Sequence, residues 1–216
     1  MAYTFDHIFD CNTSQKEIYE QVGKPIVDSI FEGFNGTIFA YGQTNSGKTF
    51  TMQGPDLQDK ILKGVTPRVT NTIFQHIESA CENTEFMVKV SILEIYMEQL
   101  RDLLDKNTNK KLTIKTDKVK GTFVDNLVEC YVSTEEEFQN LIRIGSNNRR
   151  IERTNMNEVS SRSHLITIIQ VKQNNTKKNI CKTGKLYLVD LAGSERFSRT
   201  QAEGKVMEES KLINLS

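Results

Sequence analysis

Along residues 14–32 the apolar side chains Ile18, Val22, Ile26 and Ile30 recur at every fourth position, which is the stripe of one helix face. Thr13 or Ser14 stands where an N-cap belongs. Pro25 falls inside the stripe and predicts a kink or split, because it has no backbone N–H and its ring crowds the preceding turn. The period then changes. Residues 36–41 (GTIFAY) form a short apolar run opened by glycine, which reads as a buried strand. Val69, Ile73, Ile77 and Ala80 return to helical spacing over 66–80, and residues 86–96 are rich enough in β-branched and aromatic side chains to predict a long strand. A short helix is expected around 98–104, then a lysine-rich, turn-prone stretch to about residue 125. A helix over 134–148, strands over 165–171 and 185–190, and a helix from Gly204 onward complete the pattern. With no repeat or heptad run, the alternation predicts one α/β domain over 1–216. Its core should be a central mixed, mostly parallel sheet flanked by helices on both faces.

Composition narrows the function classes. Hydrophobic residues make up 37% and charged residues 26% of the 216 positions, and no apolar run approaches the ~18 residues of a membrane span. The N-terminus has no basic-then-apolar signal pattern. Lys+Arg and Asp+Glu balance at 28 each, so neither a nucleic-acid nor a membrane partner is expected. The charge is locally uneven, however. Lys110, Lys111, Lys115, Lys118 and Lys120 face Asp117 alone within 110–120, and four lysines lie in 177–185 without an acid. Such runs are either solvated loops or docking surfaces for an acidic partner. Cys11, Cys81, Cys130 and Cys181 lie far apart in no metal-ligand spacing, and are expected to be reduced, buried thiols of a cytosolic chain.

Three segments carry chemistry. Gly42, Gln43, Thr44, Asn45, Ser46, Gly47, Lys48 and Thr49 match G-x-x-x-x-G-K-[ST] in full, with an apolar strand before and a helix after. Glycines there let backbone N–H groups turn inward around phosphate oxygens, and the helix start adds its positive end. Lys48 can then reach the β- and γ-phosphates while the Thr49 hydroxyl ligates Mg²⁺. The second segment, 190–195 (DLAGSE), closes the strand at 185–190. A carboxylate at a buried strand tip is costly without a cation, so Asp190 suits the Mg²⁺ shell, and Gly193 permits close approach to a γ-phosphate. The third, 157–164 (NEVSSRSH), clusters hydroxyls and one arginine at a strand entrance. On spacing alone it is an ordinary serine-rich loop, and His164 alone reads as a structural hydrogen-bonding residue.

Taken together, residues 40–49 (AYGQTNSGKT), 160–164 (SSRSH) and 190–195 (DLAGSE) resemble the P-loop, switch I and switch II of kinesins. Residues 35–40, 154–157 and 184–190 extend the match, so the resemblance covers essentially the whole chain and is nearest to conventional, plus-end-directed kinesins. It implies the P-loop NTPase fold and a microtubule motor ATPase that uses ATP and Mg²⁺ in the cytoplasm, on the microtubule cytoskeleton. By the same resemblance, Ser161 would face Mg²⁺ across from Thr49, with Asp190 acting through water. Ser160 would position the attacking water, Arg162 and Glu195 would pair to close the switches, and the Gly193 N–H would sense the γ-phosphate. Arg196, Arg199, Lys205 and Lys211, with Lys115, Lys118 and Lys120, would face tubulin. The family's first core strand, with its Arg-x-Arg-Pro stretch, would lie ahead of this chain. Further helices, the neck linker and a dimerising coiled coil would lie beyond it. Two other readings remain at this point: a different P-loop NTPase, against which no Asn-Lys-x-Asp guanine-reading segment is present, and a module that binds nucleotide or tubulin without motility.

Overall fold

The computed structural model describes residues 2–105, 110–118, 121–151 and 161–195. Ser14 is the cap that starts the first helix. Its hydroxyl accepts from the Glu17 N–H while the Glu17 carboxylate accepts from the Ser14 N–H, so two otherwise orphaned donors are satisfied reciprocally. The helix divides as Pro25 predicts: α1 (Gln15–Ile18) runs into a π-helical turn (Tyr19–Gly23), and α2 (Lys24–Glu32) follows with the proline in its first turn. Then come β1 (Gly36–Ala40), α3 (Lys48–Met52), α4 (Val65–Glu78), β2 (Thr84–Tyr96) and β3 (Gln99–Asp102). The remainder is β4 (Thr113–Asp117), β5 (Gly121–Asp125), β6 (Cys130–Val132), α5 (Glu135–Ile151), β7 (His164–Asn175) and β8 (Ile180–Asp190).

The main sheet has the order β1-β8-β7-β2-β3, with β6 also pairing β2. It is mixed as expected, but among the described residues only β1–β8 is parallel; β7–β8, β2–β7, β2–β3 and β2–β6 are antiparallel. This corrects the mostly parallel expectation. For β2–β3 and β7–β8 the reason is connectivity, since strands joined by a short turn can pair only antiparallel. The stretch near 98–104 is also corrected. It forms β3 rather than a helix, because Met97 and Glu98 both adopt positive φ (49° and 62°) and turn the chain back onto β2. Within the lysine-rich stretch after it, β4 and β5 pair antiparallel, where only turns were expected.

Alternate strand residues divide the sheet into two faces. Val88, Val90 and Ile92 of β2, Leu165, Ile169 and Val171 of β7, and Leu186 and Leu188 of β8 pack with Val27, Ile30, Val69, Ile73, Phe138 and Ile142 from the helices. Each such large side chain contributes about 1.5–3 kcal/mol through burial. The intervening residues, including Ile95, Ile166, Ile168 and Tyr187, line a cavity of about 250 Å³ beneath Ile114, Phe123 and Val124 of the β4–β5 hairpin. The helix expected from Gly204 lies outside the described residues. The four cysteines are unpaired as expected, yet Cys11, Cys81 and Cys181 are exposed and only Cys130 is partly covered, which corrects the expectation of buried thiols. Cys11 and Cys81 fall in loops and Cys181 near a strand end, where little packs over them. No described helix is long and apolar enough to cross a membrane.

Candidate functional site

The single parallel pairing builds the site. Phe39 and Ala40 of β1 lie beside Val189 and Asp190 of β8, so both strands release their chains at the same edge of the sheet. From β1 the chain enters the loop of Gly42, Gln43, Thr44, Asn45, Ser46 and Gly47, and Lys48 and Thr49 open α3. Gly47 caps that helix at φ 91°, a left-handed conformation that a side chain would strain. From β8 the chain runs through Gly193 to Glu195, and Leu191 and Ser194 donate backbone hydrogen bonds to Ala40 and Gly42. Ser161 and Arg162 sit just ahead of β7. The Gly193 N–H donates to the Ser161 carbonyl at 2.7 Å. The three motifs, far apart in sequence, therefore meet.

Side chains tie the loops together. The Thr49 hydroxyl donates to Oδ2 of Asp190 at 2.6 Å. Asp190 is only 4% exposed, and its Oδ1 is buried without a hydrogen-bond partner among the described residues. A buried carboxylate oxygen left open beside a hydroxyl is the hard-oxygen donor set that suits Mg²⁺, so these residues fit the ion. Lys48 Nζ donates to the carbonyls of Gly42 (2.9 Å) and Gln43 (2.8 Å), curling back over its own loop. Glu195 accepts from the Thr44 N–H at 2.8 Å and from the Thr44 hydroxyl. Burial pushes the Glu195 carboxyl up, but the two Thr44 hydrogen bonds and the nearby Lys48 charge outweigh it and hold the group below its ordinary range. A side chain at Gly193 would displace the Glu195–Thr44 contact. A Cβ would come within 2.3–2.5 Å of the Glu195 carboxylate and the Thr44 hydroxyl. His164 does what its isolated position suggested, accepting from the Ala192 N–H through Nδ1 at 3.1 Å.

Behind this surface lies a buried polar network that no motif announced. Arg149, near the end of α5, donates through Nε to Glu94 (3.1 Å) and through Nη2 to the carbonyl and hydroxyl of Ser163 (3.1 and 3.0 Å). Ser163 in turn donates to Glu94 at 2.6 Å, and Nη1 of Arg149 lies 3.9 Å from Asp190. All four residues are at most 5% exposed. The network joins β2, α5, the entrance to β7 and the tip of β8. No sequence signal could have found it, because a helical arginine and a strand glutamate are ordinary surface residues until topology buries them together.

Other expected residues fall elsewhere. Lys115 and Lys118 lie on the β4–β5 hairpin, where Lys115 pairs with Asp125 at 2.6 Å, so the hairpin's basic charge is partly offset. Ser160, Lys120, Arg196, Arg199, Lys205 and Lys211 lie outside the described residues. Arg162 makes contacts of its own, and its pairing with Glu195 stays a proposal.

Comparison with known proteins gives one answer. The family model for the kinesin motor domain matches residues 1–216. Kinesin heavy chain of Syncephalastrum racemosum is 50% identical over 214 residues, covering 99% of this chain and 23% of the relative. Kinesin-related protein 3 of Dictyostelium discoideum is 47% identical over 217 residues (100% and 18%), and human kinesin heavy chain isoform 5A is 50% identical over 214 residues (99% and 20%). A solved structure of a fast kinesin superposes with a TM-score of 0.92 at 45% identity, covering 98% of this chain and 60% of that one. The chain thus spans about a fifth of the length of the curated relatives it matches.

Proposed function

The chain belongs to the kinesin motor domain family, and from that premise we propose that it is the nucleotide-binding core of a microtubule motor, hydrolysing ATP and coupling turnover to tubulin binding. The observation that carries this reading is the 2.6 Å bond between Thr49 and Asp190, which joins a P-loop to a strand-tip carboxylate 141 residues away.

On this reading the backbone N–H groups of residues 43–49 cradle the phosphates. Lys48 exchanges its two loop carbonyls for β- and γ-phosphate oxygens. Thr49 and Ser161 would supply hydroxyl ligands for Mg²⁺ and Asp190 would act through water; the ion, when bound, would supply positive charge against the phosphates. Ser160 orients the attacking water. Gly193 can transfer its N–H from the Ser161 carbonyl to the γ-phosphate, and Glu195 can leave Thr44 for Arg162. Those two exchanges would report nucleotide state to the loops that follow, where Arg196, Arg199, Lys205 and Lys211, together with Lys115, Lys118 and Lys120, meet an acidic tubulin surface. Catalysis is then positioning and electrostatics, with little covalent work for the protein. The parent protein is read as a cytoplasmic, microtubule-associated dimer joined by a coiled coil outside this chain.

Steady-state ATPase of the purified chain, with and without microtubules, tests the proposal. The expected result is Mg²⁺-dependent turnover that microtubules stimulate and Lys48→Ala abolishes. Tight Mg²⁺-nucleotide binding without turnover would sink the motor reading and leave a binding module.

A further inference from the structure

Gln15 is a polar residue buried to 6% exposure at the start of a helical turn whose next two residues, Lys16 and Glu17, are exposed. The Ser14–Glu17 capping box fixes its backbone at the first helical position. From there its side-chain amide donates to the carbonyl of Phe50 at 2.6 Å and is 3.4 Å from that of Leu62. Phe50 belongs to α3, the helix that carries Lys48 and Thr49. Leu62 lies on the returning leg of the 54–64 loop, which connects α3 to α4.

That loop is anchored by donors on several sides. Arg68 of α4 donates to Ile61 (2.9 Å) and Lys63 (3.0 Å), Asp59 accepts from the N–H groups of Ile61 and Leu62, and the Gly64 N–H reaches Gln53 at 3.1 Å. Gln15 contributes the one described side-chain donor that reaches both this loop and α3. The distinction matters because α3 has only five residues, and its cap Gly47 makes no side-chain hydrogen bond. Isolated helices shorter than about 12–15 residues are marginal in water. The direction of α3, and with it the aim of Lys48 and Thr49, is therefore set by what grips the helix.

We infer that Gln15 is a positioning residue for the nucleotide site: its amide clamps the last turn of α3 to the 54–64 loop and so holds Lys48 and Thr49 in register with Asp190. The inference rests on the reading of residues 42–49 as a phosphate cradle. Gln15 touches no reacting atom and acts through α3.

The test uses the 216-residue chain with Gln15→Met, which keeps the volume and removes both donors, and Gln15→Glu, which sets a carboxylate against two carbonyls. Three quantities are read: the dissociation constant for Mg²⁺·ADP with a fluorescent analogue, local amide exchange, and the thermal midpoint without nucleotide. Losing a hydrogen bond of ordinary net strength corresponds to weakening of about tenfold, and Gln15→Glu should weaken binding further. Exchange should quicken over residues 48–64 while β2 and β7 keep their protection. A lower thermal midpoint with unchanged affinity and unchanged exchange over 48–54 would overturn the inference and leave Gln15 a fold residue. Lys48→Ala separates this failure from failure of the functional reading. If the parent binds no better than Lys48→Ala, the cradle reading falls, and the exchange over 48–54 still decides the role of Gln15.

Discussion

The two faces of the central sheet are built from the same strands and meet different fates. On β7, Leu165, Ile169 and Val171 are buried against α2, α4 and α5, while Ile166 and Ile168 between them are only half covered. Both sets are apolar, the composition of a strand meant to be covered on both sides. The β4–β5 strands and the 126–129 segment lie over the second set, and a 250 Å³ cavity remains beneath them. Stability is thus concentrated on the helical face. The site grows from one rim of that face, where the apolar rows end in Glu94, Ser163 and Asp190.

Four substitutions would break or sharpen this contrast. Phe138→Ala removes the largest fully buried side chain on the helical face and should cost about 3–5 kcal/mol, read by denaturant unfolding. A loss below about 1 kcal/mol would mean that this face is loosely packed. Arg149→Met should cost up to about 3–5 kcal/mol, because it strands the Asp190 carboxylate without its cation and leaves Glu94 only Arg101, at 3.6 Å. Adding Glu94→Leu should recover part of that loss, and a double variant no more stable than the single would show that the network does not act as a unit. On the other face, Ile168→Ala should cost about 1 kcal/mol or less, since its surroundings already leave a void. A cost equal to that of Phe138→Ala would erase the distinction between the faces.

The smallest effect belongs to the α2–α4 edge. Asp28 accepts from His76 (2.8 Å) and Lys24 (3.2 Å). Burial alone would raise its pKa, but these hydrogen bonds and charges hold it below the usual carboxylate value. A depressed folded-state pKa gives stability that is present above the unfolded value and lost as pH falls through the folded one. The thermal midpoint of the parent should therefore exceed that of Asp28→Asn near neutral pH and converge on it towards pH 3. The gap should be small, because the carboxylate is 40% exposed and screened. A gap that widens in acid would reverse the assignment.

How much of this was legible in sequence depended on how local the cause was. Helix α4, helix α5 and the inner halves of β7 and β8 follow from apolar period, and the P-loop from its glycines and Lys48-Thr49. The outer ends of β7 and β8, near 172–175 and 180–184, are polar and mostly exposed, held by their mutual ladder, so no apolar pattern marks them. Strand β3 depends on left-handed Met97 and Glu98, residue types that do not advertise a turn. The Arg149 network and the Gln15 clamp join residues 14 to 69 positions apart and appear only once the sheet has formed.

The β1–β8 pairing also sets a clock for biosynthesis. Gly36 aligns with Leu186 and Ala40 with Asp190, so the ribosome makes the phosphate loop roughly 140 residues before its carboxylate partner. Contacts so distant along the chain form late, after the hairpins and helices between them have condensed. At synthesis rates of ~5–20 residues per second, that leaves the half-made cradle open for about 7–30 s. The site proposed for nucleotide is complete only when the last described strand slides into place.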